Sequence, residues 1–143
     1  MAIINIYLHS EGNTEAAFNF YKSVFGGEFA TFVRYSDIPD QSGFPEISED
    51  EKEKIMHVAL QIGKENVLMG ADILKSMRQE INGGNNFSIY ISTESREETE
   101  RIFNKLAEGG KVTMPLRKTF WSEYFGTCND KFGIMWKVNF ENK

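Results

Sequence analysis

Hydrophobic and polar residues alternate over residues 3–9 (IINIYLH), the period-two signature of a strand with one buried face. The next segment, 14–25 (TEAAFNFYKSVF), carries apolar residues at helical spacing and stops at Gly26-Gly27, a pair suited to a helix C-terminus. Strands are expected near 28–35, 56–62 and 67–72, the last two joined by a tight Gly63-Lys64-Glu65-Asn66 turn. The order then recurs, with a strand at 87–93, a helix at 96–108, Gly109-Gly110, and strands near 111–117, 121–128 and 133–140. Ser95 is the expected N-cap of the second helix, and Glu98 completes a capping box. The pattern predicts an α+β fold of βαβββ, twice.

The two halves also match residue by residue. Asn5–Ser10 (NIYLHS) resembles Ser88–Thr93 (SIYIST) at an offset of 83. The same offset carries Phe20 onto Phe103, Gly26-Gly27 onto Gly109-Gly110 and Arg34 onto Arg117. Farther on the shift falls to 67, and Gly63–Met69 falls on Asp130–Trp136. The difference corresponds in size to an acidic insertion in the first half. We read an internal duplication: one domain over 1–143, with a module at about 1–82 that includes the acidic loop 37–54 and a second at about 83–143. One βαβββ unit leaves a sheet face bare, so two are expected to pair into a curved eight-stranded mixed sheet with the helices outside. The loop itself, DIPDQSGFPEISEDEKEK, holds two of the three prolines. It reads as a solvated connection with a short helix capped by Ser48, or as a docking surface for a partner.

Composition narrows the function classes. With 143 residues, 41% hydrophobic, and twelve Phe, the chain can bury a core and is not disordered. Sixteen basic against twenty-one acidic residues give a net charge of -5, which disfavours nucleic acid as a partner and gives no pull toward an anionic membrane. The N-terminus lacks the basic region of a signal peptide, and no run of about 18 apolar residues occurs, so no membrane span is expected. Cys128 is the single cysteine and cannot form an intrachain disulfide, which favours a cytoplasmic location. Two histidines, His9 and His57, exclude a site of three imidazoles.

Three segments resemble a known group: Ala17–Gly27 (AFNFYKSVFGG), Met114-Pro115-Leu116 leading to Thr119-Phe120-Trp121, and Asp130–Trp136 (DKFGIMW). Together with two βαβββ modules in this length, they are similar to the vicinal oxygen chelate superfamily of glyoxalases, extradiol dioxygenases and bleomycin-resistance proteins, in its PhnB-like branch. Some relatives are named for a ubiquinone-pathway methyltransferase, but no glycine-rich nucleotide fingerprint follows a strand here, which argues against methyl transfer. The resemblance implies a glyoxalase/bleomycin-resistance fold, a small-molecule ligand and a homodimer. It also implies a divalent metal held by one residue from the first and fourth strand of each module. Transferred to this chain, those positions fall on Asn5, Gly70, Ser88 and Lys137. None is His, Glu or Asp, and an ammonium at Lys137 repels a cation, so no metal or other cofactor is expected. A metal enters only if a different register brings in His57, His9 or Asp72.

Strand parity sorts the remaining side chains. Ile6, Leu8, Val58, Leu60, Ile62, Ile89, Ile91, Ile134, Trp136 and Val138 are expected under the helices. The opposite parity gives Asn5, Tyr7, His9, His57, Gln61, Ser88, Tyr90, Tyr124, Cys128, Lys137 and Asn139, a polar and aromatic face suited to a small-molecule cleft. Arg34 and Arg117, equivalent by the repeat, join Lys137 there, and with Tyr7, Tyr90 and Tyr124 they can hold an anionic or aromatic ligand. The alternative places both arginines at strand ends, paired with acids. His57 is the candidate catalytic base, or else a strand histidine hydrogen-bonded to a neighbour. Cys128 has no nearby His in sequence, which argues against a nucleophile. Phe120, Trp121, Tyr124 and Phe125 form an aromatic cluster for the core, a cleft wall or a dimer seam. Three functions are weighed: metal-free binding of a small organic ligand, a metal-dependent lyase, isomerase or dioxygenase of the same superfamily, and a fold that serves to dimerise while the acidic loop recruits a partner.

Overall fold

The computed structural model describes residues 1–39 and 47–141; the centre of the acidic stretch, expected as a solvated connection, lies outside the described residues. Two units emerge, Met1–Asn82 and Gly83–Lys143. The first runs β1 (Ile6–Ser10), α1 (Thr14–Phe25), β2 (Glu28–Arg34), β3 (Ile55–Ile62) and β4 (Asn66–Asp72). Its strands order β1-β4-β3-β2, with β1 parallel to β4 and the other neighbours antiparallel. Helix α1 forms because Ala17, Phe18, Tyr21 and Val24 recur at helical spacing, and it buries them against β3 and β4. From the sheet, Leu8, Val58, Leu60 and Leu68 complete the core. Each such side chain contributes about 1.5–3 kcal/mol when taken out of water.

The start of α1 is organised by a residue from β4. Asn13 makes no side-chain cap, and Asp72 Oδ1 accepts instead from the N–H groups of Gly12 (3.0 Å) and Thr14 (3.1 Å) and from the Ser10 hydroxyl (3.0 Å). Asp72 Oδ2 accepts from Ile55 N–H at 2.8 Å, tying β3 to the same buried carboxylate. At the other end of the helix, Gly27 adopts a positive φ of 89°, and a Cβ there would run into the Gln61 carbonyl.

The second unit repeats this order as β5 (Ile89–Thr93), α2 (Arg96–Ala107), β6 (Lys111–Arg117), β7 (Tyr124–Asn129) and β8 (Met135–Phe140). Its sheet orders β5-β8-β7-β6, with β5 parallel to β8. Ile102, Phe103 and Leu106 of α2 pack toward Trp136 and Val138. Ser95 Oγ caps α2 by accepting from Glu98 N–H at 3.1 Å, while Glu98 Oε1 accepts from Glu94 rather than from Ser95. Pro115 lies on the edge strand β6, where its missing N–H costs no ladder bond. Asp130 closes the β7–β8 turn, accepting from Phe132 and Ile134 N–H and from Trp136 Nε1–H.

Three details depart from the sequence reading. The seventh strand begins at Tyr124, and residues 118–123 form a loop. Ser48 precedes a short 3-10 helix, Glu49–Glu51, but its hydroxyl donates to the Glu51 carboxylate (2.8 Å) rather than capping the backbone. The correspondence between the strand pairings of the two units is also one residue longer than expected. Ile6 pairs with Leu68, and Ile89 with Trp136, so β4 maps onto β8 by a shift of 68. A one-residue slip exchanges the faces of a strand. Gly70 therefore lies on the helix side between Leu8 and Val58, beneath Phe18, and Met69 is the equivalent of Lys137. None of the described helices is long and apolar enough to cross a membrane.

Candidate functional site

Each sheet has one face covered by its helix and one that its helix leaves open. On unit 1 the open face carries Tyr7 and His9 from β1, Met69 and Ala71 from β4, His57 and Ala59 from β3, and Val33 from β2. Three of these meet. The Tyr7 hydroxyl lies 2.9 Å from His57 Nδ1, with the two rings stacked at 5.5 Å, and the Tyr7 and His9 rings are 5.1 Å apart. Burial raises the Tyr7 pKa, so the hydroxyl that shares this hydrogen bond with His57 Nδ1 keeps its proton. His57 is thus a strand histidine hydrogen-bonded to its neighbour Tyr7.

On unit 2 the open face is a grid set by the ladder. Tyr90, Lys137 and Thr127 lie side by side, and the neighbouring row is Ser92, Asn139, Phe125 and Arg117. Tyr90 is 51% exposed, and its pKa is raised by burial and by Glu141, against a lowering bond with Asn139; the phenol stays neutral. Asn5 is exposed just before β1, and Ser88 is half-buried just before β5.

Three expected cleft residues point the other way. Arg34 ends β2 and reaches toward α1, where its Nη atoms donate to Glu15 at 3.0 and 2.7 Å and one also donates to the Glu53 carbonyl at 2.8 Å. The bidentate bond lowers the Glu15 pKa and raises that of Arg34. Tyr124 donates to Glu100 of α2 at 2.9 Å, and the Arg96 guanidinium sits 4.1 Å over its ring. Cys128 pairs with Trp136, is 1% exposed, and has its thiol pKa pushed up to about 11, chiefly by burial. The cause is common to Tyr124 and Cys128: β7 pairs with β8 as Tyr124↔Phe140 and Cys128↔Trp136, which puts its even positions under the helix. Arg34 and Arg117 are therefore not equivalent in use, since only Arg117 shares a row with open-face residues.

The metal expected of the superfamily does not fit this donor set. By the observed register the four positions are Asn5, Met69, Ser88 and Lys137, which offer an amide, a thioether, a hydroxyl and an ammonium. The other register brings in no ligand set either, because Asp72 is committed to four hydrogen bonds on the helix side and His57 Nδ1 to Tyr7. Among the described residues no three His, Cys, Asp or Glu side chains gather as a metal site.

Sequence reasoning missed Ser122. It is buried, accepts from Tyr124 N–H at 3.2 Å, and directs its hydroxyl at Asn139 Oδ1 and the Phe140 carbonyl, which pins the 118–123 loop to β8. A serine following two aromatics, read as part of a strand, gave no signal of that role.

Comparison with known proteins agrees with this architecture. A family model described as 3-demethylubiquinone-9 3-methyltransferase matches residues 2–139. The chain is 37% identical to protein PA1353 from Pseudomonas aeruginosa, with a TM-score of 0.87 and complete coverage of both chains. It is 29% identical to a PhnB protein from Bacillus cereus, with a TM-score of 0.75 and coverage of 96% of this chain and 98% of that one. A glyoxalase/bleomycin resistance protein/dioxygenase family enzyme from Burkholderia phytofirmans shares the fold at 13% identity and a TM-score of 0.62, covering 96% of this chain and 97% of its own.

Proposed function

The chain belongs to the PhnB-like family whose model is described as 3-demethylubiquinone-9 3-methyltransferase, and from that premise we propose that it binds a small organic ligand on the open sheet faces without the superfamily's metal. The observation that carries this reading is the content of those faces. Tyr7, His9 and His57 on one unit, and Tyr90, Arg117 and Lys137 on the other, are polar and aromatic groups held on strands. A sheet that needed only to be solvated has no use for ordered phenols and imidazoles packed ring to ring. The positions that a metal would need carry Met69 and Lys137 instead. Nothing in the chain supplies the glycine-rich turn that a nucleotide-type methyl donor uses, so methyl transfer has no support beyond the family description.

The reading is tested by a thermal-shift panel of benzoate, hexanoate, 2-naphthoate, benzyl alcohol and benzylamine on the intact chain. We expect the acids to raise Tm in the wild type and to lose that effect in Lys137→Glu. A panel that leaves Tm unmoved, or that shifts wild type and Lys137→Glu alike, contradicts it. We also propose a homodimer in the cytoplasm. Exposed Met1, Ile3 and Ile4 ahead of the edge strand β1 support self-association, and a monomer mass by light scattering would count against it.

A further inference from the structure

We infer that unit 2 carries an aromatic monoacid site, in which the Phe120–Trp121 pair forms a shelf for a planar ring and Arg117, Lys118 and Lys137 receive the carboxylate. The inference rests on the ligand-binding reading above and deepens it by naming the ligand class and the residues. The shelf comes first. Phe120 is 97% exposed and Trp121 48% exposed, yet the two rings meet edge to face at 4.8 Å. Trp121 in turn meets Phe125 edge to face at 5.6 Å, and Phe125 is buried on the open face. A continuous aromatic series therefore runs from the sheet out into solvent.

The loop that carries the shelf is fixed before any ligand arrives. Thr119 N–H donates to the Ser122 carbonyl at 3.0 Å, and Ser122 is held by Asn139, the Phe140 carbonyl and Tyr124 N–H. Ser122 thereby ties the loop to Asn139 on the open face of β8. Side chains already ordered lose little entropy on binding. The loop bounds a recess of about 510 Å³ with Lys118, Thr119, Phe120, Trp121, Glu123 and Glu141 in its wall, a size suited to a small molecule. Thr119 Oγ1 is buried there with no hydrogen-bond partner among the described residues.

Charge selects the ligand. Acids outnumber bases by twenty-one to sixteen, yet Arg117, Lys118 and Lys137 make no ion pair among the described residues. Arg117 sits beside Phe125 in the ladder, one strand from the aromatic series, and Lys137 lies one row along. A guanidinium fork fits a carboxylate, and the ring then lies toward Trp121. Glu123 and Glu141 in the recess wall oppose a second negative charge, which favours a monoanion over a diacid or a phosphate monoester.

Calorimetric titration of the full chain with 2-naphthoate tests the site, with 2-naphthalenemethanol, cyclohexanecarboxylate and naphthalene-2,6-dicarboxylate as comparators. We expect 2-naphthoate to bind about tenfold or more tightly than each comparator. Trp121→Ala and Arg117→Gln should each weaken it by about tenfold, Trp121→Phe should restore most of the loss, and Arg34→Gln should leave it unchanged. Equal binding of the neutral alcohol, or no effect of Trp121→Ala and Arg117→Gln, overturns the proposal. If cyclohexanecarboxylate equals 2-naphthoate and both depend on Lys137, the shelf is wrong while the ligand-binding reading stands. If no acid binds, both fall.

Discussion

Replacing Gly70 by alanine probes the register of β4, on which the assignment of faces depends. Gly70 lies between Leu8 and Val58 in the ladder, on the side covered by α1. A Cβ there would stand 2.6 and 2.8 Å from the Phe18 ring and 2.9 Å from the Leu8 carbonyl oxygen. Carbon–carbon contact is comfortable at about 3.5 Å, so the ring must retreat by nearly 1 Å. Phe18 is 1% exposed and meets Tyr21 edge to face at 5.6 Å, which leaves it nowhere to go. Overpacking costs about 1–3 kcal/mol, and a clash from both ring and backbone places this one near 3. Removing glycine from a strand returns about 0.5–1 kcal/mol, for a net loss of about 2. At roughly 3 °C per kcal/mol for a chain of this size, Tm falls by about 6 °C. Urea denaturation followed by circular dichroism gives the free energy directly. A variant within about 0.5 kcal/mol of wild type would mean that Gly70 faces away from Phe18, because alanine on the open face would find room. Combining Gly70→Ala with Phe18→Leu should cost about 1 kcal/mol less than the sum of the two.

Asp72→Ala strips acceptors from the Gly12, Thr14 and Ile55 N–H groups and the Ser10 hydroxyl, and should cost about 4 kcal/mol or prevent folding, with Asp72→Asn between it and wild type in urea titrations; an Asp72→Ala chain as stable as wild type contradicts that role. Arg34→Gln should lose about 0.5–1 kcal/mol at pH 7. Because Glu15 has its pKa lowered by Arg34, the stabilisation is complete above the ordinary carboxylate value of 4.5 and fades as pH falls through the depressed one, so the gap between wild type and Arg34→Gln should close in acid; a gap that persists there rules the pair out as its source. Cys128, with a thiol pKa of about 11 against an ordinary 9.0, favours the folded state fully below pH 9 and loses that contribution as pH climbs toward 11. Cys128→Ala should therefore flatten the stability profile between those values, and the native thiol should resist a disulfide reagent at pH 7.5 until urea unfolds the chain.

The element order was legible because both periodicities are strong: α1 and α2 carry apolar stripes closed by glycine pairs, and β1 and β5 alternate. Faces were legible where a strand shows mixed polarity, which placed Tyr7, His9, Tyr90 and Lys137 correctly. They were not legible in β4 and β7. VLMGAD reads as apolar on either parity, and YFGTCN has small and aromatic residues on both. Only pairing with β1 and β8 fixes those registers, and pairing is a long-range property that local pattern does not encode. Arg34 was misplaced for a related reason. The repeat set it equal to Arg117, but the acid that captures it, Glu15, belongs to α1 and is reached only through tertiary packing.

We propose that open-face residues bind an organic ligand at the place where the superfamily's metal would sit. Elemental analysis of protein purified without chelators, read against chain concentration, addresses it most directly. Met69 and Lys137 at two of the four positions predict far less than one zinc, manganese, nickel or iron per chain. One equivalent of any of these metals, lost on replacing Asn5 and Ser88 by alanine, would place a metal at these positions after all.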